Sequence, residues 1–398
     1  MASISVRHSM TDTAQSVQKN PTLKASTQGP LTLWLGLKMS TMARVVRMGA
    51  EIHPCRWSRL SLLPGMGVYN SMMSVVEKVL HGKAIRNTEI KQPPIFVLGH
   101  WRSGSTLLHN LMTSDPQFSF VNLYQAMFPW HFLTTEWLGA KLAGPLLPKT
   151  RPMDNMGMGF DQPQEDELAL CVMTGHSPYL LPIFQSHTRE VDRFFNVEQG
   201  LTPIELQEWQ DAMTLLIKKI TLKTGKPVVL KSPSHTFRMK LLQEMYPGAK
   251  FVYIYRNPYT VYKSSVHVRN TMYEANALGR NNFDGIAEDV FQTYESCFRT
   301  YERDRLLVPK ENLHEVRFED LEADPLGVMQ KMYSGLGLDG FEGLKTALEP
   351  QMESFRKYKK NKFNDDPEVM QRIYQRLKFA FDRYGYSPPH LEMERAAA

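Results

Sequence analysis

Short apolar runs alternate with stretches of helical periodicity through the middle of this 398-residue chain. "IFVLG" after Pro93-Pro94, "PVVLKS" (227–232) and "KFVYIYRN" (250–257) are continuous apolar runs suited to strands buried on both faces. A helical pattern follows each of them. "STLLHNLMTS" sets Leu107, Leu108, Leu111 and Met112 at helical spacing, "TFRMKLLQEMYP" follows the second run, and a helix starts near Tyr259 after the third. "LHEVRFEDL" adds another strand-like piece and "PLGVMQKMYSGLGL" a helix ending at glycine. This alternation predicts an α/β fold with a central parallel sheet flanked by helices, and a ligand at the C-terminal ends of the strands.

Upstream the pattern changes. "MARVVRMGAEI" and "YNSMMSVVEKVLHG" predict a helical N-terminal extension over 31–90, after a Ser-, Thr- and Gln-rich segment (1–30) expected to be disordered. Residues 91–390 are expected to form the sheet-containing domain. Arg44, Arg47, Arg56 and Arg59 stand among apolar residues of the extension. Solvated arginines are the plainer reading, and a weak membrane-surface contact through the extension is the sharper one. No apolar run approaches the ~20 residues of a membrane span. The start lacks the charged-then-apolar order of a secretory signal, so a cytoplasmic location is expected.

Composition adds little: 42% hydrophobic and 22% charged residues are ordinary for a globular protein. The net charge of +6 and pI near 9.0 suit an anionic ligand without implying nucleic acid, and no nucleic-acid partner is expected. Three cysteines with no close pair argue against a disulfide framework or a cysteine-based zinc site.

The chemistry begins at the end of the first run. From Gly99 the chain reads G-H-W-R-S-G-S-T, the spacing of a phosphate-binding loop between strand and helix. Ser105 stands where a nucleoside triphosphatase carries lysine, and the cation is Arg102. Such a loop offers backbone N–H groups and the positive end of a helix dipole, with Ser103, Ser105 and Thr106 adding hydroxyls. The other strand ends, "LKSPSH" and "YIYRNP", lack the aspartate that would hold magnesium. The chain is therefore expected to have a P-loop-like fold that binds phosphate without metal. A P-loop kinase or nucleotidase is disfavoured on the same grounds. A non-catalytic nucleotide-binding, membrane-peripheral protein stays open because of the basic N-terminal third. A second cluster, "YRNPYTVYKSSVH", places Ser264 eight positions after Arg256, where a turn through Asn257-Pro258 would return it to the strand end.

Together these two clusters resemble the sulfotransferases that use 3'-phosphoadenosine 5'-phosphosulfate. That family's first signature, basic residue-Ser-Gly-[ST]-[ST], is matched by Arg102-Ser103-Gly104-Ser105-Thr106. Its second, an Arg with a Ser eight residues on, is matched by Arg256 and Ser264. "HWRSGST", "PQEDE", "LKSPSH", "FVYIYRNPYTVYKSS" and "VRFEDLEADP" look most like the bacterial-type members, over roughly residues 90–340. The resemblance implies that the first cluster binds the 5'-phosphosulfate and the second the 3'-phosphate. It further implies metal-free, in-line transfer of a sulfuryl group to a hydroxyl acceptor. A sulfuryl group carries less charge than a terminal phosphoryl group, so one or two side-chain cations could replace a magnesium ion. "RKYKKNKF" (356–363) reads as a solvated charge run.

The acceptor hydroxyl needs a base. Glu165, Asp166 and Glu167 open a helix after Pro163, where acids also serve as dipole partners. Several branches of the family use a Glu, which ranks Glu165 first and Glu167 second. His235, four residues after Lys231, is the rival, and Lys231 is the candidate for stabilising the leaving oxygen beside Arg102. His109 is expected to pack under the loop. Trp130 and His131 read as core, with the mouth of the cleft as the other option. A small-molecule, lipid or carbohydrate hydroxyl could each serve as acceptor, since donor site and fold do not fix it.

Overall fold

The computed structural model describes residues 32–147, 157–351 and 366–389, so the lead-in (1–30) and "RKYKKNKF" lie outside the described residues. Five strands form one parallel sheet: β1 (Ile95–Leu98), β2 (Ser119–Phe120), β3 (Val228–Lys231), β4 (Lys250–Tyr255) and β5 (Leu313–Arg317), in the order β2-β3-β1-β4-β5. Central β1 pairs Ile95 with Val229 on one side and with Lys250 on the other. All four of its residues are buried, which is why it reads as a continuous apolar run.

Alternate residues feed two cores, as the period-2 pleat requires. Ile95, Val97, Val229, Val252 and Ile254 pack with Leu108 and Leu111 of α3 (Ser105–Thr113) and with Met329 and Met332. Phe96, Leu98, Leu230 and Phe251 join the larger core on the opposite face.

Two elements differ from the expectation. β2 has two residues and no apolar run to announce it, and it is held by Ser119 N donating to Pro227 O at 2.8 Å. "LHEVRFEDL" divides at Arg317, where helix Phe318–Ala323 begins with Glu319 and Asp320 in its first turn.

The extension forms α1 (Met39–Arg47) and α2 (Leu63–Asn87) and is bound into the larger core. Trp34 is fully buried and donates to Asn276 O at 2.7 Å. Asn70 Nδ2 donates to Leu35 O and Leu37 O, and the Glu77 carboxylate meets Lys219 at 2.5 Å, both side chains buried. Three of the four arginines are not simply solvated. Arg44 donates to Thr174 O, Arg56 to Gly279 O and Arg59 to Ala277 O, so they satisfy carbonyls at helix ends and in loops. Arg47 alone among them is exposed.

Candidate active site

The loop after β1 is shaped by backbone positions that only glycine fills well. Gly99 has φ 142°, and a Cβ there would lie 2.5 Å from Ile254 O; Gly104 has φ 103°, and a Cβ would lie 2.2 Å from the Phe318 ring. Thr236 holds the entry to the loop, its hydroxyl accepting from Gly99 N (3.0 Å) and facing Gly99 O (3.2 Å). Arg102, the described non-glycine residue at positive φ (70°), donates from Nε to Ser264 Oγ at 2.8 Å. That bond joins the two sequence clusters. A strained residue kept in this position is the kind found at ligand clamps.

Arg256 leaves the end of β4, and its guanidinium sits 4.0 Å from the centroid of Phe318, the ring that also limits Gly104. Burial draws its pKa below the usual arginine value. Four α-helices of five or more residues separate α3 from β3 along the chain. These are α4 (Leu123–Met127), α5 (Phe132–Ala143), α6 (Asp166–Thr174) and α7 (Pro203–Thr224). After β3 comes α8 (Met239–Met245), and after β4 comes α9 (Pro258–Asn276), which carries Ser264. The Asn257 side chain caps α9 by accepting from Tyr259 N, while Glu319 accepts from Asn257 N at 3.1 Å. The "RFED" stretch thus fixes both the glycine loop and the start of α9.

Three consecutive acids at the start of α6 meet, in the same order, three basic side chains at and after the end of β3. Glu165, the N-cap residue, accepts from Lys231 Nζ at 2.5 Å, and the same ammonium donates to Thr106 Oγ1 at 3.2 Å. Asp166 lies 2.5 Å from His235 Nε2, with neither side chain exposed. Glu167 accepts both terminal nitrogens of Arg238, at 2.5 and 3.2 Å, and the Ser177 hydroxyl at 2.6 Å. Burial pushes the Asp166 carboxyl up, but His235, a backbone hydrogen bond and His109 together hold the group below its ordinary value. Of the three acids, Glu165 alone has an accessible side chain, 15% exposed, while Asp166 and Glu167 have none. Lys231, Glu165 and Thr106 therefore meet beside the loop; Glu167 and His235 are occupied in the interior.

Next to Thr106 a cleft opens, lined by Asn110, Leu123, Met158, Pro163 and Gln164. Trp130 and His131 do not line it. His131 is buried against Thr135 and Asn70, and Trp130 lies under Lys38 Nζ, 3.3 Å from its ring centroid.

The Ser103 hydroxyl is buried without a protein partner, inside a loop that has no room for a Cβ at Gly104. This is a cradle with an unmet donor, and it suits phosphate oxygens. Among the described residues no group of three His, Cys, Asp or Glu side chains is placed to hold a metal ion.

Thr236, Phe318 and Arg238 escaped sequence reasoning as site-shaping residues. The first and last lie in "PSHTFR", shortly after Lys231, and proximity to that lysine is the signal the sequence offers.

Three buried histidines make stability depend on pH. Burial pushes His100 down to about 4 and His109 to about 3, with Lys231's charge adding to the effect on His109. His131 falls to about 4 through burial and the charge of Lys219. The unfolded chain takes up these protons first, near pH 6.5, so the stability that the neutral rings contribute is full above that pH and declines toward pH 4. Urea unfolding is expected to lose about 1.4 kcal/mol per pH unit for each such ring across this window. A flat profile between pH 7 and 5 would contradict the neutral assignment.

A sequence model of the sulfotransferase family matches residues 93–343. The chain is similar to the omega-hydroxy-beta-dihydromenaquinone-9 sulfotransferase Stf3 of Mycobacterium bovis (strain ATCC BAA-935 / AF2122/97), at 35% identity over 355 residues, covering 89% of this chain and 91% of the relative. The Stf3 of Mycobacterium tuberculosis (strain CDC 1551 / Oshkosh) matches with the same values. In fold it resembles the sulfotransferase STF1 of Mycobacterium tuberculosis H37Rv, with a TM-score of 0.62 at 18% identity over 91% of this chain and 99% of that one. Sulfotransferase STF9 of Mycobacterium avium gives 0.59 at 14% identity, over 87% and 97%. With the family match spanning most of the chain and a relative of this identity covering nearly all of it, the protein belongs to the sulfotransferase family and is a transferase enzyme.

Proposed function

We propose that this enzyme moves a sulfuryl group from 3'-phosphoadenosine 5'-phosphosulfate to the hydroxyl of a lipid acceptor, in line and without metal. The observation that carries the reading is Lys231, held between Thr106 of the loop and Glu165 at 3.2 and 2.5 Å. The donor supplies an activated sulfuryl group, and the rest falls to this chain's residues.

Ser103, Gly104, Ser105 and Thr106 hold the 5'-phosphosulfate at the N-terminus of α3. Arg256 and Ser264 hold the 3'-phosphate, and Arg102 links the two sites through its bond to Ser264. An arriving anion gives Lys231 a second anionic partner besides Glu165, which draws the ammonium toward the bridging oxygen and loosens its hold on Glu165. Glu165 then accepts the acceptor's proton as the new oxygen–sulfur bond forms and the sulfur–oxygen bond to the phosphate breaks. Lys231 and Arg102 meet the charge that develops on the leaving oxygen. The lipid assignment draws on the relative whose name specifies a menaquinone derivative.

Incubation with the donor and a panel of hydroxylated lipids, sugars and phenols in EDTA, read by mass, tests the acceptor class. Sulfation of a lipid alcohol supports it, and selective sulfation of a sugar overturns it. Arg256→Ala and Ser264→Ala should each weaken affinity for adenosine 3',5'-bisphosphate by roughly ten- to a hundredfold, since each removes a bond to a charged group. Calorimetric affinities unchanged in both would move the 3'-phosphate elsewhere.

A further inference from the structure

Helix α2 has its chemistry turned inside out. Its buried positions include Asn70, Glu77, Gly67 and Gly82, whereas Met72, Val75, Val79 and Leu80 are 62–77% exposed. The interior side is satisfied, because Glu77 pairs with Lys219 and Asn70 bonds two carbonyls. The outward side is an apolar stripe at helical spacing with nothing covering it among the described residues. Helix α5 lies alongside, tied by Thr134 N donating to Glu77 Oε2, and adds Trp137 (68% exposed) and Leu142 (69%).

Charge decides the occupant. Glu77 is the one acid in α2 and it is buried, so the exposed charges on that helix, Lys78, Lys83 and Arg86, are all positive, and Lys141 on α5 is exposed as well. A second copy of the chain docked by two-fold symmetry would bring these cations against one another. An anionic lipid surface accepts the apolar stripe and the cations together. None of the described helices is long and apolar enough to cross a membrane, so the contact is with the surface.

We propose that the exposed face of α2 and α5 docks the enzyme on an anionic membrane surface. The inference stands on this surface and is independent of the donor and acceptor assignments.

Co-sedimentation of the full chain with vesicles tests it, comparing phosphatidylcholine alone with phosphatidylcholine containing phosphatidylglycerol. The wild type should bind the anionic vesicles and blue-shift its tryptophan emission, and Trp137→Phe should remove most of that shift. Val75→Glu/Val79→Glu should lower vesicle affinity by about tenfold or more, and Lys83→Glu by about fivefold. Affinity for adenosine 3',5'-bisphosphate, measured in parallel, should be unchanged in these variants and so shows that they are folded. Failure of the wild type to bind anionic vesicles, or equal binding by the folded Val75→Glu/Val79→Glu variant, overturns the proposal. A wild-type dimer in solution that this variant dissociates also overturns it, by assigning the face to a second copy.

Discussion

Glu165→Gln is expected to reduce turnover by about 10²–10⁴-fold while leaving affinity for adenosine 3',5'-bisphosphate close to wild type. The amide keeps the length and shape of the side chain, so Lys231 keeps a neighbour at its present 2.5 Å position. What disappears is the capacity to take the acceptor's proton. In the proposed assignment donor binding relies on other residues, those of the loop together with Arg256 and Ser264. Lys231→Ala should behave like Glu165→Gln if, as proposed, its charge acts mainly on the leaving oxygen. Single-turnover rates and calorimetric affinities on the same preparations separate the two effects. Near-normal turnover in Glu165→Gln, alongside loss in Glu167→Gln or His235→Ala, would place the base on another residue while leaving the family intact.

The second large effect concerns stability. Arg238→Met leaves Glu167 charged in a fully enclosed site, and it also removes the donors to Phe194 O and Phe195 O. Breaking one side of such a pair typically costs about 3–5 kcal/mol, so the variant should unfold at much lower urea. Combining it with Glu167→Leu removes the stranded charge, and the double variant should recover a large part of the loss. A double variant no more stable than Arg238→Met alone would show that the carboxylate was not the source of the damage. Turnover in the folded double variant also bears on mechanism. Activity close to wild type fits Glu167 as a structural partner, and abolished activity with intact donor binding would bring it back as the base.

Much of the fold was legible because β1, β3 and β4 lie inside the sheet. Covering on both faces demands continuous apolar runs, and those runs stand out from the helical stretches between them. The edges were harder. β2 pairs on one side with two residues, and β5 is mostly half-exposed, so its run is diluted and merges with the helix at Phe318. In the site, spacing suggested that Ser264 returns to the strand end, and in the structure it meets Arg102. The fan of Glu165, Asp166 and Glu167 onto Lys231, His235 and Arg238 could not be read in advance. Partners 66–71 positions apart are joined only by the packing of α6 against the strand that precedes them. The same holds for Arg44, Arg56 and Arg59. Their carbonyl partners belong to elements distant in sequence, and a local reading sees only cations among apolar residues.

The central claim is a donor site for 3'-phosphoadenosine 5'-phosphosulfate formed by the loop at Arg102–Thr106 together with Arg256 and Ser264. Calorimetric titration of the wild-type chain with adenosine 3',5'-bisphosphate in EDTA tests it most directly. The expected result is saturable one-to-one binding that ATP does not reproduce at the same concentrations. No binding of the bisphosphate, with ATP bound only when magnesium is supplied, would contradict it.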